Sequence, residues 1–341
     1  MNKRLFYLDF VRTIAVFLII VTHYNAAFVF YNNPPMYEKC MLFEMPFNIY
    51  IGNLGVSLFL IISGCSLMYV YNEKCEIFSF YKKRFLSIFP MFWLAYLSIF
   101  LLKFYLEKGI DQTIPKWKII YSILGMDGYL SEYGVNFYIL GEWFLGFIII
   151  FYIIFPFLRY VLDKFEKLTL IIICLVYIIT LLTYNLQLDV SKCILIRLPE
   201  LVFGMCFIKN KMKVSKLLFI GALLVLIVNA YFKPNFYASI QTTYIGIAAF
   251  ISLVYLSKFF ECNFMYNLCK QISKYSYAIF LVHHVIITYM QSGFDLMEIS
   301  DFENILLFVG CNFVIMVFAI YLNKSDQFVK NKLGYICKTN N

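Results

Sequence analysis

Charged residues are scarce in this chain of 341 residues. Asp, Glu, Lys and Arg make up 14% of it, whereas an ordinary soluble domain carries about a quarter. This scarcity excludes an intrinsically disordered chain and a nucleic-acid-binding protein. Hydrophobic residues make up 62%, and they are spread along the whole length rather than concentrated in one soluble core. The composition therefore predicts an all-α, polytopic integral membrane protein.

Several familiar motifs are also missing. The ten cysteines are scattered, with no CxxC pair and no Cys/His spacing for a metal, so we expect no metal site. There is no repeat, no low-complexity tract and no appended soluble domain. Asp9 and Arg12 interrupt what would be the apolar region of a signal peptide, and no small-residue cleavage site follows, so the first apolar run is expected to be retained as a helix.

Long apolar runs fill the rest of the sequence. Windows of about 20 residues, the length that crosses roughly 30 Å of hydrocarbon, predict a bundle of about ten transmembrane helices. The predicted spans are roughly 5–28, 48–71, 85–106, 138–158, 168–184, 193–208, 217–232, 239–257, 275–291 and 303–323. The sixth is the weakest, because it is short and contains Arg197 and Glu200. Such a segment is compatible with a broken or tilted helix that lines a cavity.

The net charge of +9 predicts the orientation of these helices. With a cytoplasmic N-terminus, 20 Lys and Arg residues fall on the inner side and seven on the outer side. This is the bias of the positive-inside rule, and an even number of spans then places both termini in the cytoplasm. Residues 1–325 are expected to form the transmembrane domain and 326–341 a short cytoplasmic tail.

Ionisable residues in apolar spans cost about 2.5–3.5 kcal/mol each and are candidates for function. The first span contains Asp9, Arg12 and His23. Eleven residues at about 100° each complete about three turns, so Arg12 and His23 share one helix face at a separation of about 16 Å. Asp9 precedes Arg12 by three residues and is placed to pair with it. The alternative is that Asp9 and Arg12 only compensate each other, while His23 snorkels at the outer interface.

Two further segments combine small, hydroxyl and basic residues. Ser63 and Gly64 lie inside the second span, where close helix packing is the alternative to a binding role. Lys82, Lys83 and Arg84 lie at the predicted cytoplasmic mouth of the third span. A guanidinium suits bidentate contacts to phosphate, whereas the two lysines are alternatively positive-inside anchors.

The later spans contain six more candidates. Arg197 and Glu200 are alternatively a mutual salt bridge, and histidine in a span suits either proton transfer or a structural hydrogen bond. The six residues are Glu142, Trp143, Arg197, Glu200, Tyr277 and His283.

Taken in order, these segments resemble the acyltransferase-3 family of integral membrane O-acyltransferases, which includes bacterial polysaccharide O-acetylases. The similarity covers nearly the whole chain. It is carried by Arg12 and His23, SG at 63–64, KRFLSIFP at 83–90, WFL at 143–145, RLPELVFG at 197–204 and YAIFLVH at 277–283. In one departure, Ser87 stands where family members commonly carry a second arginine. A donor site would then use a different partner, such as Lys82 or Lys83, or hold the donor more weakly.

The resemblance implies an enzyme of the plasma (inner) membrane that moves an acyl group, acetyl above all, from cytoplasmic acyl-CoA to a hydroxyl of a cell-envelope glycan or other sugar. Acetyl-CoA would be a co-substrate, with no bound cofactor. The catalytic candidates are His23, Arg12 and Asp9, the donor-binding candidates are Arg84, Lys83 and Ser63, and the acceptor-binding candidates are Trp143, Glu142, Glu200, Arg197, Tyr277 and His283.

Two other classes of protein share parts of this pattern. Intramembrane His, Arg and Glu also occur in transporters and flippases for glycans or small amphiphiles, although the two halves of this sequence show no internal symmetry. An inactive scaffold of the same fold is the third class. The sequence leaves open the acceptor, the acyl chain, the oligomeric state and whether His23 acts as a base or carries the acyl group itself.

Overall fold

The computed structural model describes residues 5–30, 34–141 and 143–332. All the regular secondary structure of these residues is helical, which confirms the all-α part of the predicted fold class. The α-helices are α1 Phe6–Val29, α2 Ile51–Tyr71, α3 Ile77–Glu107, α4 Ile119–Leu124, α5 Trp143–Thr183, α6 Ile194–Lys209, α7 Lys216–Phe232, α8 Ala238–Leu256, α9 Asn263–Gln291 and α10 Asp301–Lys332. Short 3-10 turns lie in the connecting segments.

Six of these helices are long and apolar enough to cross a membrane. They are α1, α2, α3, α5, α10, and α8 together with the 3-10 turn that follows it. At 17 residues, α7 is apolar but shorter, and α6 contains the charged pair that weakened the sixth predicted span. The count of ten spans and the position of both termini stay predictions.

Two predicted spans, 138–158 and 168–184, lie in the single 41-residue helix α5. A straight helix of that length would be about 60 Å long, twice the thickness of the hydrocarbon layer. Phe165 interrupts it with φ −138° and ψ 49°, outside the helical region. The charged residues between the two predicted spans therefore remain largely helical, and the chain changes direction at one residue instead of in a loop.

The helix α3 begins at Ile77, eight residues before the predicted start of the third span. Hydropathy windows miss this part because it contains Lys82, Lys83 and Arg84, although lysine and arginine are good helix formers. Arg84 consequently lies two turns inside α3 and not at its entry. Its side chain is held by a helix, which fixes its position more tightly than a loop would.

Contacts divide the chain into two units that alternate along the sequence. Unit 1 comprises Met1–Cys75 and Phe155–Ser276, and unit 2 comprises Glu76–Ile154 and Tyr277–Asn341. As a result, α5 begins in unit 2 and ends in unit 1, and α9 does the reverse. Each unit has its own packing, described separately.

Unit 1 is built around the crossing of α2 with α6. The crossing depends on two glycines, since a Cβ atom on Gly64 would lie 2.1 Å from the carbonyl oxygen of Leu201 and one on Gly204 would lie 2.1 Å from that of Ile61. The helix backbones touch directly, as small residues allow inside membranes. The predicted packing role of Gly64 is thereby confirmed, and the close approach sets Ser57 of α2 beside Glu200 of α6.

In unit 2, α3 packs against α10, and the segment after α4 packs against the first turns of α5. Gly125 ends α4 in the left-handed region with φ +67°, which glycine adopts without strain. A Cβ atom on Gly146 would lie 2.5 Å from that of Tyr129, so this glycine lets the 125–130 segment lie directly on α5. The close packing fixes a loop beside the beginning of α5, where Trp143 lies.

Candidate active site

Arg12 lies at the junction of three helices in unit 1. Its Nη1 donates to Ser273 Oγ of α9 at 2.7 Å, and its Nη2 donates to Ser66 Oγ of α2 at 3.0 Å. Asp9 Oδ1 lies 3.8 Å from Nη1, so the pairing predicted from the spacing is formed, at a long distance. The Arg12 side chain remains 23% exposed while that of Asp9 is 6% exposed. The guanidinium is thus fixed by two hydroxyls and is still accessible.

His23 occupies the same continuous helix. Because α1 has no break between Phe6 and Val29, the helical relation between Arg12 and His23 holds, with one on each side of the helix centre. His23 is half-buried, in contrast to its neighbours Thr22 and Tyr24, which are buried. Its ring therefore lies at a less enclosed face near the far end of α1.

Arg197 and Glu200 form a fully buried ion pair in unit 1. Arg197 Nε lies 3.1 Å from Glu200 Oε2, with side-chain exposures of 2% and 0%. Ser57 Oγ donates to Glu200 Oε1 at 2.6 Å, and Arg197 Nη2 lies 3.3 Å from the same hydroxyl. The structure therefore contains the mutual salt bridge that was one of the two alternatives for these residues. Burial on this scale favours a structural role over contact with a substrate.

Ser63, predicted to bind the donor, is half-buried on α2. Its hydroxyl donates to the carbonyl oxygen of Phe59 at 2.7 Å, within the same helix. Ser66, one turn further on, is the serine that contacts Arg12. The two hydroxyls share one face of α2.

In unit 2, Arg84 packs between two aromatic rings. Its guanidinium carbon lies 6.0 Å from the ring centroid of Phe80 and 5.6 Å from that of Tyr152, which are cation–π distances. Lys83 is exposed on the same helix. Ser87, where the resemblance leads us to expect a second arginine, donates its hydroxyl to the carbonyl oxygen of Arg84 at 2.9 Å. The Ser87 hydroxyl is therefore used within the helix.

The two candidates on the second half of α9 contact backbone carbonyl oxygens within unit 2. Tyr277 donates its hydroxyl to the carbonyl oxygen of Ile88 on α3 at 3.1 Å. His283 is 1% exposed, and its Nδ1 lies 2.8 Å from the carbonyl oxygen of Phe280 in its own helix. A structural hydrogen bond, one of the alternatives for this histidine, is therefore formed.

Trp143 is the first residue of α5 and is half-buried. Its ring meets that of Phe147 edge-on, at 5.9 Å between centroids. The neighbouring candidate, Glu142, lies outside the described residues. The indole thus lies at the start of a helix, packs on the ring of Phe147 and is partly exposed.

A comparison with known families identifies the family of this chain. A family model described as acyltransferase domain, that of the acyltransferase-3 family, matches residues 5–324, nearly the whole chain. The chain belongs to the acyltransferase-3 family. No match was found among curated proteins or among solved structures. The family and the apolar helices together support a membrane protein with acyl-transfer activity.

In this acyltransferase-3 protein, the residue that the sequence prediction missed is Ser273. It lies 261 positions from Arg12, so no local pattern connects them. Its one signal is its place, a turn before the YAIFLVH segment that carries the family resemblance. Ser57 and Ser66 are both hydroxyl residues of the apolar helix α2, and the sequence does not show which ionisable residue each of them contacts.

Proposed function

We propose that the protein is a membrane O-acyltransferase of the plasma (inner) membrane that transfers an acyl group, acetyl above all, from cytoplasmic acyl-CoA to a hydroxyl of a cell-envelope glycan or other sugar. The proposal is carried by Arg12, which lies on the same face of α1 as His23 in a chain of the acyltransferase-3 family. Ser66 and Ser273 fix the guanidinium of Arg12 by hydrogen bonds. Acetyl-CoA is a co-substrate, and acyl transfer of this kind needs no resident cofactor.

In this proposal, Arg12 and Arg84 bind the acyl-CoA donor. A guanidinium has five N–H donors in a planar fork, and the two serines use one on each Nη of Arg12. The planar fork of a guanidinium suits phosphate oxygens or the carbonyl of a thioester. In unit 2, the rings of Phe80 and Tyr152 orient Arg84, and the exposed Lys83 adds a second cation to the same helix. Asp9 balances the charge of Arg12 when no donor is bound.

His23 supplies the chemical step. One ring nitrogen of a neutral imidazole takes the proton of the acceptor hydroxyl as the oxygen attacks the thioester carbonyl. The new C–O bond forms, the C–S bond breaks, and the departing thiolate of CoA receives a proton. General-base catalysis of this type contributes about 10²–10⁴-fold to the rate. In the other route, the imidazole itself accepts the acyl group first and passes it to the hydroxyl.

Trp143 and Tyr277 are proposed to stack on the sugar ring, because an aromatic face with a polar edge suits such a surface. Glu142 is proposed to contact the acceptor as well. For Arg197, Glu200 and His283 the contacts within the protein favour positioning the helices, so they enter the proposal as supports of the site.

The experiment is acetyl transfer from labelled acetyl-CoA to extracted envelope glycan by purified protein in detergent or vesicles. We expect ester-linked label with the wild-type protein and none with His23→Ala, whose insertion and thermal unfolding stay normal. Phe17→Ala, at an exposed position of the same helix, is the matched control and should transfer label. Near-wild-type transfer by His23→Ala would contradict the role of His23, and movement of glycan without ester formation would support a carrier instead.

A trapping experiment separates the two routes for His23. The protein is incubated with labelled acetyl-CoA without glycan and then rapidly denatured. We expect label on the protein in the acyl-histidine route and no label on it in the general-base route. His23→Ala is the control for label on other residues.

A further inference from the structure

Unit 1 contains a cavity of about 390 Å³ between the beginning of α1, the end of α2 and the end of α6. We name it the α1–α2–α6 cavity. In the orientation predicted from charge, these helix ends face the cytoplasm. The volume is near the lower end of the range of about 300–1,000 Å³ that is usual for small-molecule sites. It has room for one ring system with a sugar and is too small for a whole acyl-CoA.

The α1–α2–α6 cavity continues toward the candidate active site along α2. Ser66, Tyr69 and Val70 are spaced i, i+3 and i+4, so they follow one face of that helix. Ser66 accepts the hydrogen bond from Arg12, and Tyr69 and Val70 line the cavity. On α1, Leu5 lines the cavity seven residues before Arg12, which is about 10 Å or two helical turns. A ligand in the cavity therefore lies on the cytoplasmic side of the Arg12 guanidinium.

Aromatic rings form the deeper part of the cavity wall. Tyr7 of α1 and Phe207 of α6 both line it, and their rings meet edge-on with centroids 6.2 Å apart. Tyr69 adds a third ring from α2. A planar base stacks favourably on such rings, whichever base it is. The wall is therefore suited to a flat heterocycle.

Polar groups lie at the mouth of the cavity. Asn72, Glu73 and Lys211 line it, and the last two are exposed, whereas Phe207 is buried. An amide and a carboxylate form hydrogen bonds with the edge of a base or with ribose hydroxyls, and an ammonium group binds phosphate. The mouth thus adds the groups that recognise a nucleotide to the rings that stack on its base.

Arg159 of α5 fixes the segment that carries two of these polar groups. Its Nε donates to the carbonyl oxygen of Tyr71 at 2.6 Å, and its Nη2 donates to those of Asn72 at 2.6 Å and Glu73 at 3.1 Å. A cation at the carbonyl end of α2 is also favoured by the helix dipole. Because this wall is ordered before a ligand arrives, binding costs less conformational entropy.

We propose that the α1–α2–α6 cavity binds the nucleoside end of the acyl-CoA donor, with the adenine between the aromatic rings and the phosphates at Lys211. The proposal rests on the proposed function and adds donor-binding residues to it. The nucleotide is the part of acyl-CoA that combines a flat base with negative charge, and the cavity combines aromatic walls with a cation at its mouth.

The length of α1 agrees with this placement. Tyr7 and His23 are sixteen residues apart on one continuous helix, which is about 24 Å along its axis. About 17 bonds join the ribose of acyl-CoA to its sulfur, and at about 3.3–3.6 Å per three bonds the extended arm spans about 20 Å. With the base in the cavity, the thioester therefore reaches the half of α1 that contains His23.

A donor without the nucleotide provides the test. Acetyl-pantetheine has the same thioester as acetyl-CoA and lacks the adenosine and its phosphates. The purified full chain is assayed with each donor and extracted envelope glycan. We expect the kcat/KM of the wild-type protein to be at least about tenfold higher with acetyl-CoA. Adenosine 3′,5′-bisphosphate should compete with acetyl-CoA and not with acetyl-pantetheine.

Val70→Trp fills the cavity from an exposed position of its wall. We expect the KM for acetyl-CoA to rise at least about tenfold, because the indole takes the place of the base. The kcat/KM with acetyl-pantetheine should stay at the wild-type value, which shows that the variant is folded and that its chemistry is intact. Val228→Trp, at an exposed position of α7 outside the cavity, is the matched control and should keep both values.

Lys211→Ala tests the mouth of the cavity. Loss of the ammonium group should raise the KM for acetyl-CoA about fivefold and leave acetyl-pantetheine unaffected. Lys213→Ala, at an exposed lysine two residues further along that does not line the cavity, is the control and should change neither value.

The outcomes separate the two levels of the proposal. If the wild-type protein transfers acetyl from neither donor, the proposed function fails and the nucleoside site fails with it. If it uses both donors, but Val70→Trp and Lys211→Ala keep the wild-type ratio of the two kcat/KM values, the nucleoside site is overturned and the proposed function stands. Equal loss of activity with both donors in Val70→Trp would also overturn it, since the cavity wall would then serve the fold alone.

Discussion

Two regions of unit 1 have the same sequence pattern, an arginine and an acid three residues apart in an apolar helix. At Arg197 and Glu200 the charged atoms are 3.1 Å apart and the side chains are 2% and 0% exposed. At Asp9 and Arg12 the distance is 3.8 Å and the arginine is 23% exposed. In the first region both charged groups are enclosed together with the hydroxyl of Ser57. In the second the arginine donates to the hydroxyls of Ser66 and Ser273 and stays partly exposed. Equal spacing thus gives one pair enclosed in the protein and one that is open to a ligand.

The enclosed pair should respond most to mutation. Glu200→Ala leaves the guanidinium of Arg197 buried without its counter-charge, which costs about 3–5 kcal/mol of folding free energy. We expect loss of the monomeric peak in size-exclusion chromatography or a large fall in the unfolding temperature.

The matched control is the double variant Arg197→Met with Glu200→Leu, which removes both charges and retains apolar volume. It should recover most of the lost stability. If Glu200→Ala is as stable as the wild-type protein, the two regions do not differ in the way that their burial indicates.

The open pair should respond in activity and not in stability. Arg12→Ala removes charge-assisted hydrogen bonds worth about 1.5–3 kcal/mol to a bound donor, so the KM for acetyl-CoA should rise at least about tenfold. The unfolding temperature should change little. An unchanged KM for acetyl-CoA would argue that Arg12, like Arg197, serves the fold alone.

The packing that encloses Arg197 and Glu200 can be disturbed without touching a charge. Gly64→Ala places a methyl group 2.1 Å from the carbonyl oxygen of Leu201, so α2 and α6 must separate, and overpacking of this kind costs about 1–3 kcal/mol. Thermal unfolding measures the loss. Gly221→Ala is the control, since a Cβ atom at Gly221 meets nothing within 4 Å, and it should be neutral or slightly stabilising.

The smallest change in KM is expected from Ser273, one of the two serines that fix the side chain of Arg12. Ser273→Ala removes one neutral acceptor from Arg12, a hydrogen bond worth about 0.5–1.5 kcal/mol. The KM for acetyl-CoA should rise a few-fold, and Ser273→Thr, which keeps the hydroxyl, should rescue it. Ser276→Ala, one turn further along α9, is the control and should leave the KM unchanged. Failure of the threonine to rescue would show that the volume of the side chain matters and the hydroxyl does not.

The features that could be predicted from the sequence were those that depend on a single helix. The apolar runs predicted helices, and the spacing of Asp9, Arg12 and His23 predicted their common face on α1. The contacts that distinguish the two ion pairs come from partners far away in sequence, such as Ser57, which is 143 positions from Glu200. Burial of Arg197 depends on where α2 and α6 cross, and hydropathy does not contain that information.

The predicted start of the third helix was wrong for a related reason. The predicted start of the third span followed the loss of hydropathy at Lys82 to Arg84, whereas a helix continues wherever its backbone hydrogen bonds are made.

The alternation of the two units along the chain has a consequence for biosynthesis. Residues of unit 2 from Glu76 to Ile154 are made after α2 and before α6. At about 5–20 residues per second, Ser57 is in the nascent chain for about seven to thirty seconds before Glu200 exists. Throughout that interval α2 has neither of its partners Glu200 and Gly204. The charged helix α6 is made only after the surface of α2 against which it packs has been synthesised.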